Sequence, residues 1–554
     1  MSNKSAKKVK KQELSSASEI TLHIEKVVVS GYALLLFVMM PLFYNDNYYD
    51  IGTFKYQMFM KITLAFLGFS ILMLLITLIL AITEKVLTKE GIINYIKSFS
   101  VVDWFVFAFF IASILSYLFS EFKGEGFTFL NDNMDNPPWE GFAGWNMGLR
   151  SQIMFVLIYF FVTKLFLKNW KKAFINTTLV VSAIVFLLGV LHRFQVDPLD
   201  LYQDLEMQYK IKFISTLGQT SWYSSFMVLI IPIGLALFIY SEEKKSRIIY
   251  GMFVALSAAT FVTQNSDSAY FAFLATATIF FALSFTDNKR FLNFMQAMII
   301  IVAVMKLIGI LQKAFPDRVV ELDSLSIFMS QSVFTWFLLL AVVLIYILIY
   351  YLDRNSRFDI TRLKWLRNII VFLVCLVPFA WAALIYLNTN NMLPEAFAPY
   401  HDNEYLLFNV GWGNARGVTW INSVTLIKEF PPLQLIFGVG PDCYQQWTYA
   451  YNADFVTSVF GENILTNSHN EWMNMLFTQG ILGLVSYLGI FVSCVVVFIK
   501  ERKNWIMGAG IAIIFSYFSH NFFCYQQILC TPMVFTLIAL CEAARREIVN
   551  KGNN

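Results

Sequence analysis

Apolar runs of membrane length dominate this sequence and restrict the folds open to it. Hydrophobic residues make up 58% of the 554 residues and charged residues 14%, which is too apolar for a soluble domain of this size. Runs of roughly 17 to 25 apolar residues are long enough to cross about 30 Å of hydrocarbon as helices. Backbone groups need partners inside a bilayer, so the sequence predicts an all-α, polytopic membrane protein. We expect about fourteen spans, at 25–44, 58–82, 101–119, 152–168, 172–191, 221–240, 248–264, 267–285, 291–311, 332–352, 368–387, 481–499, 504–522 and 527–542.

The connections between these runs alternate in charge. Lysine and arginine cluster in the N-terminal tail (Lys4 to Lys11) and in every second connection, whereas the other connections are acidic or mixed. The positive-inside rule therefore predicts a cytoplasmic-membrane protein with both termini in the cytoplasm. The longer polar segments, at 120–151, 192–220, 312–331 and 388–470, then all lie on the outer face.

These assignments divide the chain into five parts. They are a basic cytoplasmic tail (1–24), a transmembrane bundle of eleven spans (25–387), a large external loop that holds candidate site residues (388–470), C-terminal membrane helices (471–542) and a cytoplasmic tail (543–554). No P-loop or strand-borne G-x-G-x-x-G motif occurs, so nothing indicates a nucleotide cofactor. The lipid bilayer is the predicted surrounding, and we expect no nucleic-acid partner.

The external loop contains a predicted helix and a predicted turn. In "ARGVTWINSVTLIKEFPP" apolar residues recur near helical spacing, and Pro431 and Pro432 end the run, which is typical of an amphipathic helix at the membrane surface. Its expected apolar face comprises Val418, Trp420, Ile421, Val424 and Ile427. Arg416 stands at the helix start. The "FGVGPDCY" stretch that follows predicts a turn with close backbone approach.

The stretch "TNSHNEWMNMLFTQGILGL" lies at the border of the loop and the next span. Ser468 and Glu471 fit a capping box, with a helix beginning at His469. A histidine in the first helical turn feels the positive end of the helix dipole, which lowers its pKa and keeps the imidazole neutral, as a general base requires. The alternative for His469 is an interfacial histidine bonded to nearby backbone. For Glu471 the capping role stands beside a direct catalytic one.

Several segments resemble the O-antigen ligase and O-antigen polymerase superfamily. They are "LLGVLHRFQVDPLDLY" (187–202), "FISTLGQTSWYSSFMVLIIPIGLAL" (213–237), "ARGVTWINSVTLIKEFPPLQLIFGVGPDCY" (415–444) and "SHNEWMNMLFTQGILGLVSYLGIFV" (468–492). The resemblance implies a GT-C-type membrane glycosyltransferase that moves a glycan from a polyprenyl diphosphate carrier to an acceptor hydroxyl. It implies that His469 is the base, with Asn470 and Glu471 in support. Arg416 would hold the diphosphate, and the attack would invert the anomeric carbon without an obligatory metal or cofactor.

One motif departs from the family pattern. Members often carry Ser-Arg-Gly/Ala at the outer start of a later span, where this chain has "NSDSAY", with Asp267 in the arginine position. Arg150 and Arg193, at outer membrane edges, are candidates for the second phosphate ligand, along with Gln219. Either arginine could equally be a headgroup anchor. Asp267 could orient His469 or an arginine, or cap a helix.

Alternatives remain at the level of chemistry and of function. The acidic pairs Asp204-x-Glu206 and Glu321-x-Asp323 are the nearest to metal motifs, but hydrated acidic pairs are common and we expect no metal. The acceptor, whether glycan, lipid or protein, separates a polymerase from a ligase. A flippase of lipid-linked glycans is the contrasting class; it would need polar residues within the spans and on both faces, whereas those of this chain gather on one.

Overall fold

The computed structural model describes residues 16–552, except 125–126, 130–131, 135, 143, 204, 356–357 and 462. The basic residues Lys4 to Lys11 of the predicted tail lie outside the described residues, as does Asp204. The described chain is built almost entirely from helices, as predicted.

The first group of helices precedes the 388–470 segment. They are α1 (Ala17–Leu42), α2 (Ile51–Thr83), α3 (Lys89–Lys97), α4 (Val101–Phe119), α5 (Pro137–Glu140), α6 (Leu149–Leu165), α7 (Lys171–Arg193), α8 (Met207–Lys210), α9 (Thr220–Tyr240), α10 (Lys244–Thr263), α11 (Ser268–Ser284), α12 (Asn288–Ala314), α13 (Ser324–Gln331), α14 (Val333–Arg354) and α15 (Lys364–Thr389).

The second group lies within and after that segment. It comprises α16 (Trp412–Lys428), α17 (Pro432–Phe437), α18 (Tyr444–Tyr451), α19 (Ala453–Phe460), α20 (Glu471–Phe498), α21 (Trp505–His520) and α22 (Thr531–Gly552). Two small antiparallel hairpins pair β1 (Phe127–Phe129) with β2 (Asp132–Met134) and β3 (Phe213–Ile214) with β4 (Gly218–Gln219).

Each of the fourteen predicted spans coincides with a helix. Within the described residues, ten helices are long and apolar enough to cross a membrane, namely α1, α2, α4, α7, α9, α10, α12, α14, α15 and α20. Helices α11 and α21 are apolar but shorter. The chain is thus a multi-pass helical membrane protein, and the count of fourteen spans stays a prediction.

Helix α9 forms the centre of the bundle. It packs against α10, α11, α12 and α21, and nearly all of its side chains are buried. This explains why its sequence is apolar on every face, since a helix surrounded by other helices has no polar side. Helices α14 and α15 lie at the periphery with most of their large apolar side chains exposed, as expected for surfaces that face lipid.

The 388–470 segment has an apolar core of its own. Helices α16 to α19 pack around Leu426, Tyr444, Trp447 and Val456, together with Phe477 of α20. The segment therefore covers one end of the bundle as a folded cap.

Two helices extend beyond the predicted spans, and the buried face of a third differs from the prediction. Helix α1 begins at Ala17, inside the predicted tail 1–24, and α22 continues to Gly552 through the predicted tail 543–554. The predicted amphipathic helix is present as α16, but its buried side carries polar residues, including Asn422 and Ser423, and Val424 is 42% exposed. The reason is that α16 packs against α18 and α20, where buried hydroxyl and amide groups bond to each other.

Candidate functional site

His469 lies between the cap and the bundle, two residues before α20. Its backbone is in the left-handed region (φ 48°), and its N–H donates to Oδ1 of Asn467 at 2.9 Å. The imidazole is half-buried and contacts the ring of Tyr525 edge to face, with 5.0 Å between ring centroids. Within the described residues the imidazole forms no hydrogen bond, so both ring nitrogens are left for a substrate.

The surroundings keep this imidazole neutral. Burial and, to a smaller extent, the positive charge of Arg416 lower the pKa of His469 to about 3. The predicted direction was right, but the cause is burial and an arginine, because α20 begins two residues later. The imidazole is therefore unprotonated at physiological pH and has a free lone pair, although a group with so low a pKa is a weaker base than an ordinary histidine.

The predicted capping box was wrong. Helix α20 begins at Glu471, its N-cap is Asn470, and Oδ1 of Asn470 accepts from the N–H of Met473 at 3.0 Å. The Ser468 hydroxyl instead donates to the Asn470 carbonyl at 2.9 Å. Three buried donors in the bundle bind the Glu471 carboxylate and draw it away from the helix end.

These donors connect Glu471 to α20 and α21. The Tyr487 hydroxyl donates to Oε1 at 2.7 Å, Tyr517 donates at 2.9 Å to Oε2, and the Asn521 amide is a third donor. Asn521 also bonds to His520, whose other ring nitrogen lies 2.9 Å from the hydroxyl of Ser224. Glu471 thus fixes the start of α20 against the end of α21, next to His469.

Arg416 is anchored by neutral groups. Its Nε donates to the carbonyl of Phe523 at 2.9 Å and one terminal nitrogen to the carbonyl of Gly413 at 2.6 Å. Left-handed residues at 413–415 turn the chain immediately before it. No carboxylate forms an ion pair with Arg416 among the described residues, so its charge is unpaired.

Arg416 and His469 belong to one neighbourhood. The hydroxyl of Thr419, one turn after Arg416, donates to the carbonyl of Ser468 at 3.1 Å. The segment after α21 touches both residues, since Phe523 accepts from Arg416 and Tyr525 contacts His469. The structure therefore brings the two principal predicted residues together.

Asp267 also lies near this pair, at the N-cap position of α11. Burial raises the pKa of Asp267 to about 6, the neighbouring Asp323 raises it as well, and the charge of Arg416 opposes both. It makes no capping bond through its side chain. Asp267 and Arg416 thus influence each other through charge without an ion pair among the described residues, and the orienting role of Asp267 stays a prediction.

The other predicted residues have different surroundings. Arg193 is 1% exposed and donates to the carbonyls of Thr263, Lys210 and Ile211 at 2.8, 2.7 and 3.1 Å, so all its nitrogens are engaged. Arg150 is partly exposed, bonds to the Tyr56 hydroxyl and lies 3.5 Å from Glu140. Gln219 precedes α9, and its Oε1 is 3.5 Å from the hydroxyl of Tyr525.

Sequence reasoning missed the segment between α21 and α22. The predicted spans leave only a short connection here. In the structure its side chains and those next to it contact the site: Asn521 bonds to Glu471, Phe523 to Arg416 and Gln526 to Tyr487, and Tyr525 contacts His469. The available signal was "NFFCYQQ", an amide-rich and aromatic stretch between two apolar helices.

The glycine-rich turn has the predicted close backbone approach. Gly438 (φ 77°) packs against the backbone of Thr478 in α20, and Gly480 (φ 68°), which kinks α20, packs against the backbone of Ile436. A Cβ at Gly438 would lie 2.3 Å from the Thr478 carbonyl, and one at Gly480 would lie 2.3 Å from the Ile436 carbonyl. The N–H groups of Val439 and Gly440 donate to Phe477 and Thr478 across this contact. The two glycine motifs therefore lock the cap onto α20.

The comparison with known families agrees with this geometry. The O-antigen ligase family matches residues 319–488, roughly a third of the chain. This region includes Arg416, the glycine-rich turn and His469, whereas the 187–202 and 213–237 segments lie outside it. No curated protein matches the sequence. Residues 319–488 are thus similar to the O-antigen ligase family, and this match points to a membrane glycosyltransferase of the O-antigen ligase/polymerase type.

Proposed function

We propose that this protein transfers an oligo- or polysaccharide from a polyprenyl diphosphate carrier to a hydroxyl group of a glycan, lipid or protein acceptor. The reaction takes place at the outer face of the cytoplasmic membrane. His469 acts as the general base and Arg416 binds the diphosphate.

One observation carries this proposal: an unpaired guanidinium lies beside a neutral imidazole at the junction of cap and bundle. Arginine can bind a diphosphate through two parallel hydrogen bonds, and its charge offsets the negative charge that grows on the leaving group. The imidazole of His469 has a lowered pKa and no hydrogen-bond partner among the described residues. A cation for the leaving group and a base for the nucleophile are the two groups that glycan transfer needs.

The proposed step balances without a cofactor. His469 takes the proton of the acceptor hydroxyl as its oxygen forms a bond to the anomeric carbon. The bond from that carbon to the phosphate oxygen breaks, and the electron pair leaves with the diphosphate. The configuration at the anomeric carbon inverts because attack and departure occur on opposite sides.

The remaining predicted residues bind the diphosphate or position the groups around Arg416 and His469. Arg150 is the stronger candidate for a second diphosphate ligand, because its acidic partner Glu140 is exposed, 3.5 Å away and can be exchanged for a phosphate, while the three carbonyl bonds of Arg193 suit a positioning role. Asp267 orients Arg416 through its charge. Asn470 and Glu471 fix the start of α20, and Gln219 supports Tyr525.

Substitution of His469 tests the proposal. His469→Ala should reduce transfer by about 10² to 10⁴ fold, the usual contribution of general base catalysis, while binding of the lipid-linked donor stays unchanged. His401→Ala, in the same external segment, is the matched control and should transfer normally. Normal transfer by His469→Ala would refute the assignment.

The surface glycan of a deletion strain separates the two acceptor classes. Single repeat units on the final acceptor, without longer chains, would indicate a polymerase. Full-length chains that stay on the lipid carrier would indicate a ligase.

A further inference from the structure

A small polar cavity lies next to His469, and the proposed chemistry leaves it unused. It has a volume of about 20 Å³, which is enough for a water molecule or a hydroxyl group but too small for a sugar ring. Its walls include Trp145, Gln152, Asp442, Glu471 and Tyr525. Tyr525 also contacts the imidazole of His469, so the cavity and the proposed base share a wall.

Gln152 presents an unsatisfied acceptor in this cavity. It is 2% exposed, and its amide nitrogen donates to the Met147 carbonyl at 3.0 Å and to Gln526 at 3.1 Å. Its Oε1 is buried and has no hydrogen-bond partner among the described residues. A buried amide oxygen without a donor costs about 1–3 kcal/mol, so a donor is expected to fill the site.

Asp442 presents a second acceptor. One carboxylate oxygen accepts from the N–H groups of Phe142 and Met147 at 2.8 and 3.0 Å. Its other oxygen forms no hydrogen bond within the described part of the chain. Asp442 comes from the glycine-rich turn that locks onto α20, so its position is rigidly set relative to His469.

The charges distinguish this cavity from the surroundings of Arg416. Two carboxyl groups, Asp442 and Glu471, line it, and neither Arg416 nor its carbonyl partners Gly413 and Phe523 do. A diphosphate would be repelled here and attracted at Arg416. The cavity therefore suits the uncharged reactant, which in the proposed function is the acceptor.

We propose that this cavity is an acceptor subsite that receives a hydroxyl group of a neutral sugar, which donates to Oε1 of Gln152 and to the carboxylate of Asp442. This inference rests on the proposed function. Trp145, which is partly exposed, supplies apolar ring surface beside the cavity. A uronic acid is disfavoured because its carboxylate would face Asp442 and Glu471.

Direct binding of simple sugars tests the subsite. The probes are the methyl glycosides of glucose, galactose, mannose and N-acetylglucosamine, with methyl glucuronide as the charged counterpart. Saturation-transfer NMR on the full-length protein in detergent at pH 8 measures their affinity. At this pH Asp442, whose pKa burial raises to about 7, is mostly ionised.

We expect at least one neutral glycoside to bind more tightly than the glucuronide. Its affinity should fall about threefold to tenfold in Gln152→Met and about tenfold or more in Asp442→Asn, since hydrogen bonds to charged groups are stronger. Gln434→Met, which removes a buried glutamine bonded to Glu121 elsewhere in the cap, should bind normally.

Three results would overturn the subsite: no binding of any neutral glycoside, equal binding of the glucuronide, or unchanged affinity in both cavity variants. Asp442 also accepts two backbone N–H groups, so Gln152→Met decides if Asp442→Asn does not fold. Sugar binding is measured without a donor and without transfer, so this readout does not depend on whether His469 is the base. Loss of the subsite and loss of the proposed base are therefore separate outcomes.

Discussion

Buried charges form ion pairs at one end of the helical bundle and bond to neutral groups at the other. At one end, where α4 begins and α6 and α22 end, Asp103 binds Lys164 at 3.0 Å and also Arg546, while Arg545 lies 2.7 Å from Glu542. We call this group the ion-pair end. At the other end, Arg416 bonds to backbone carbonyls and Glu471 bonds to tyrosine and asparagine.

The difference separates charges that hold the fold from charges that are free to bind. At the ion-pair end each cation has a carboxylate partner, so most of the charge there is already bound within the fold. Carbonyl oxygens orient a guanidinium but leave its full charge, which is then available to an anion. An arginine that is well anchored and yet unpaired is therefore a better indicator of an anion site than an exposed one.

The largest expected effect is at the ion-pair end and concerns stability. Asp103→Asn should lower the free energy of unfolding by about 3–5 kcal/mol, because it leaves Lys164 and Arg546 with a neutral partner in a buried position. Transfer per folded molecule should be unchanged. Denaturant unfolding in detergent and an activity assay measure the two quantities.

The control for this change is Asp287→Asn. Asp287 is exposed, caps α12 and lies 3.7 Å from Arg290, and asparagine is an equally good cap. A stability loss no larger in Asp103→Asn than in Asp287→Asn would show that the ion-pair end is not structural.

The next effect is on activity, at the site. Arg416→Gln should reduce transfer by about 10² to 10³ fold, as for other preorganised groups that stabilise transition-state charge. Its stability should change little, because no carboxylate loses an ion-pair partner. If the loss of transfer activity in Arg416→Gln is no larger than the loss of folded protein, Arg416 has a structural role only.

A smaller effect tests the cap of α20. Asn470→Ala should cost about 1 kcal/mol of stability, the usual value of an N-cap, and Asn470→Ser should restore most of it. Thermal unfolding of the three proteins measures this. Equal stability of all three would contradict the Asn470 cap and reopen the Ser468 alternative.

The smallest expected change is in the pH profile. With a pKa of about 3, His469 stays neutral from pH 8 to pH 5, so the transfer rate should fall far less than the roughly 30-fold loss expected for an ordinary histidine of pKa 6.5. The unfolded state binds the proton below pH 6.5 and the folded state does not, so stability declines as the pH falls. Rates must be measured where the protein is still folded, and in Asp267→Asn and Asp442→Asn as well, because these two carboxyl groups have pKa values of about 6 and about 7. A drop in rate centred near pH 6.5 that persists in both variants would contradict the burial of His469.

The helical bundle could be predicted well from the sequence, because the thickness of the hydrocarbon core sets the length of each apolar run. The buried faces of the helices and the residues at which they begin were predicted less well. Val424 is exposed and Asn422 is buried because α16 packs on polar groups of the cap, and the apolar pattern does not contain that information. The start of α20 depends on the groups that donate hydrogen bonds to Glu471. One of these donors, Asn521, lies 50 residues later in the chain.

The candidate site was predicted in part. His469 and Arg416 were identified through a local motif, and the structure brings their segments together through Thr419 and Ser468. No sequence pattern indicated that Gln152 and Asp442 share a cavity, because Gln152 belongs to α6 and Asp442 to the glycine-rich turn, about 290 residues later. The unpaired state of Arg416 was equally invisible, because it depends on which groups do not come close.

The preference for a diphosphate tests the central claim most directly. Binding of a polyprenyl diphosphate and the matching monophosphate to the purified protein should differ by about tenfold or more in favour of the diphosphate. Arg416→Gln should remove most of this preference, because the unpaired charge is lost while Arg150, the proposed second ligand, remains. A preference that is absent from the unaltered protein, or that persists undiminished in Arg416→Gln, would contradict the account.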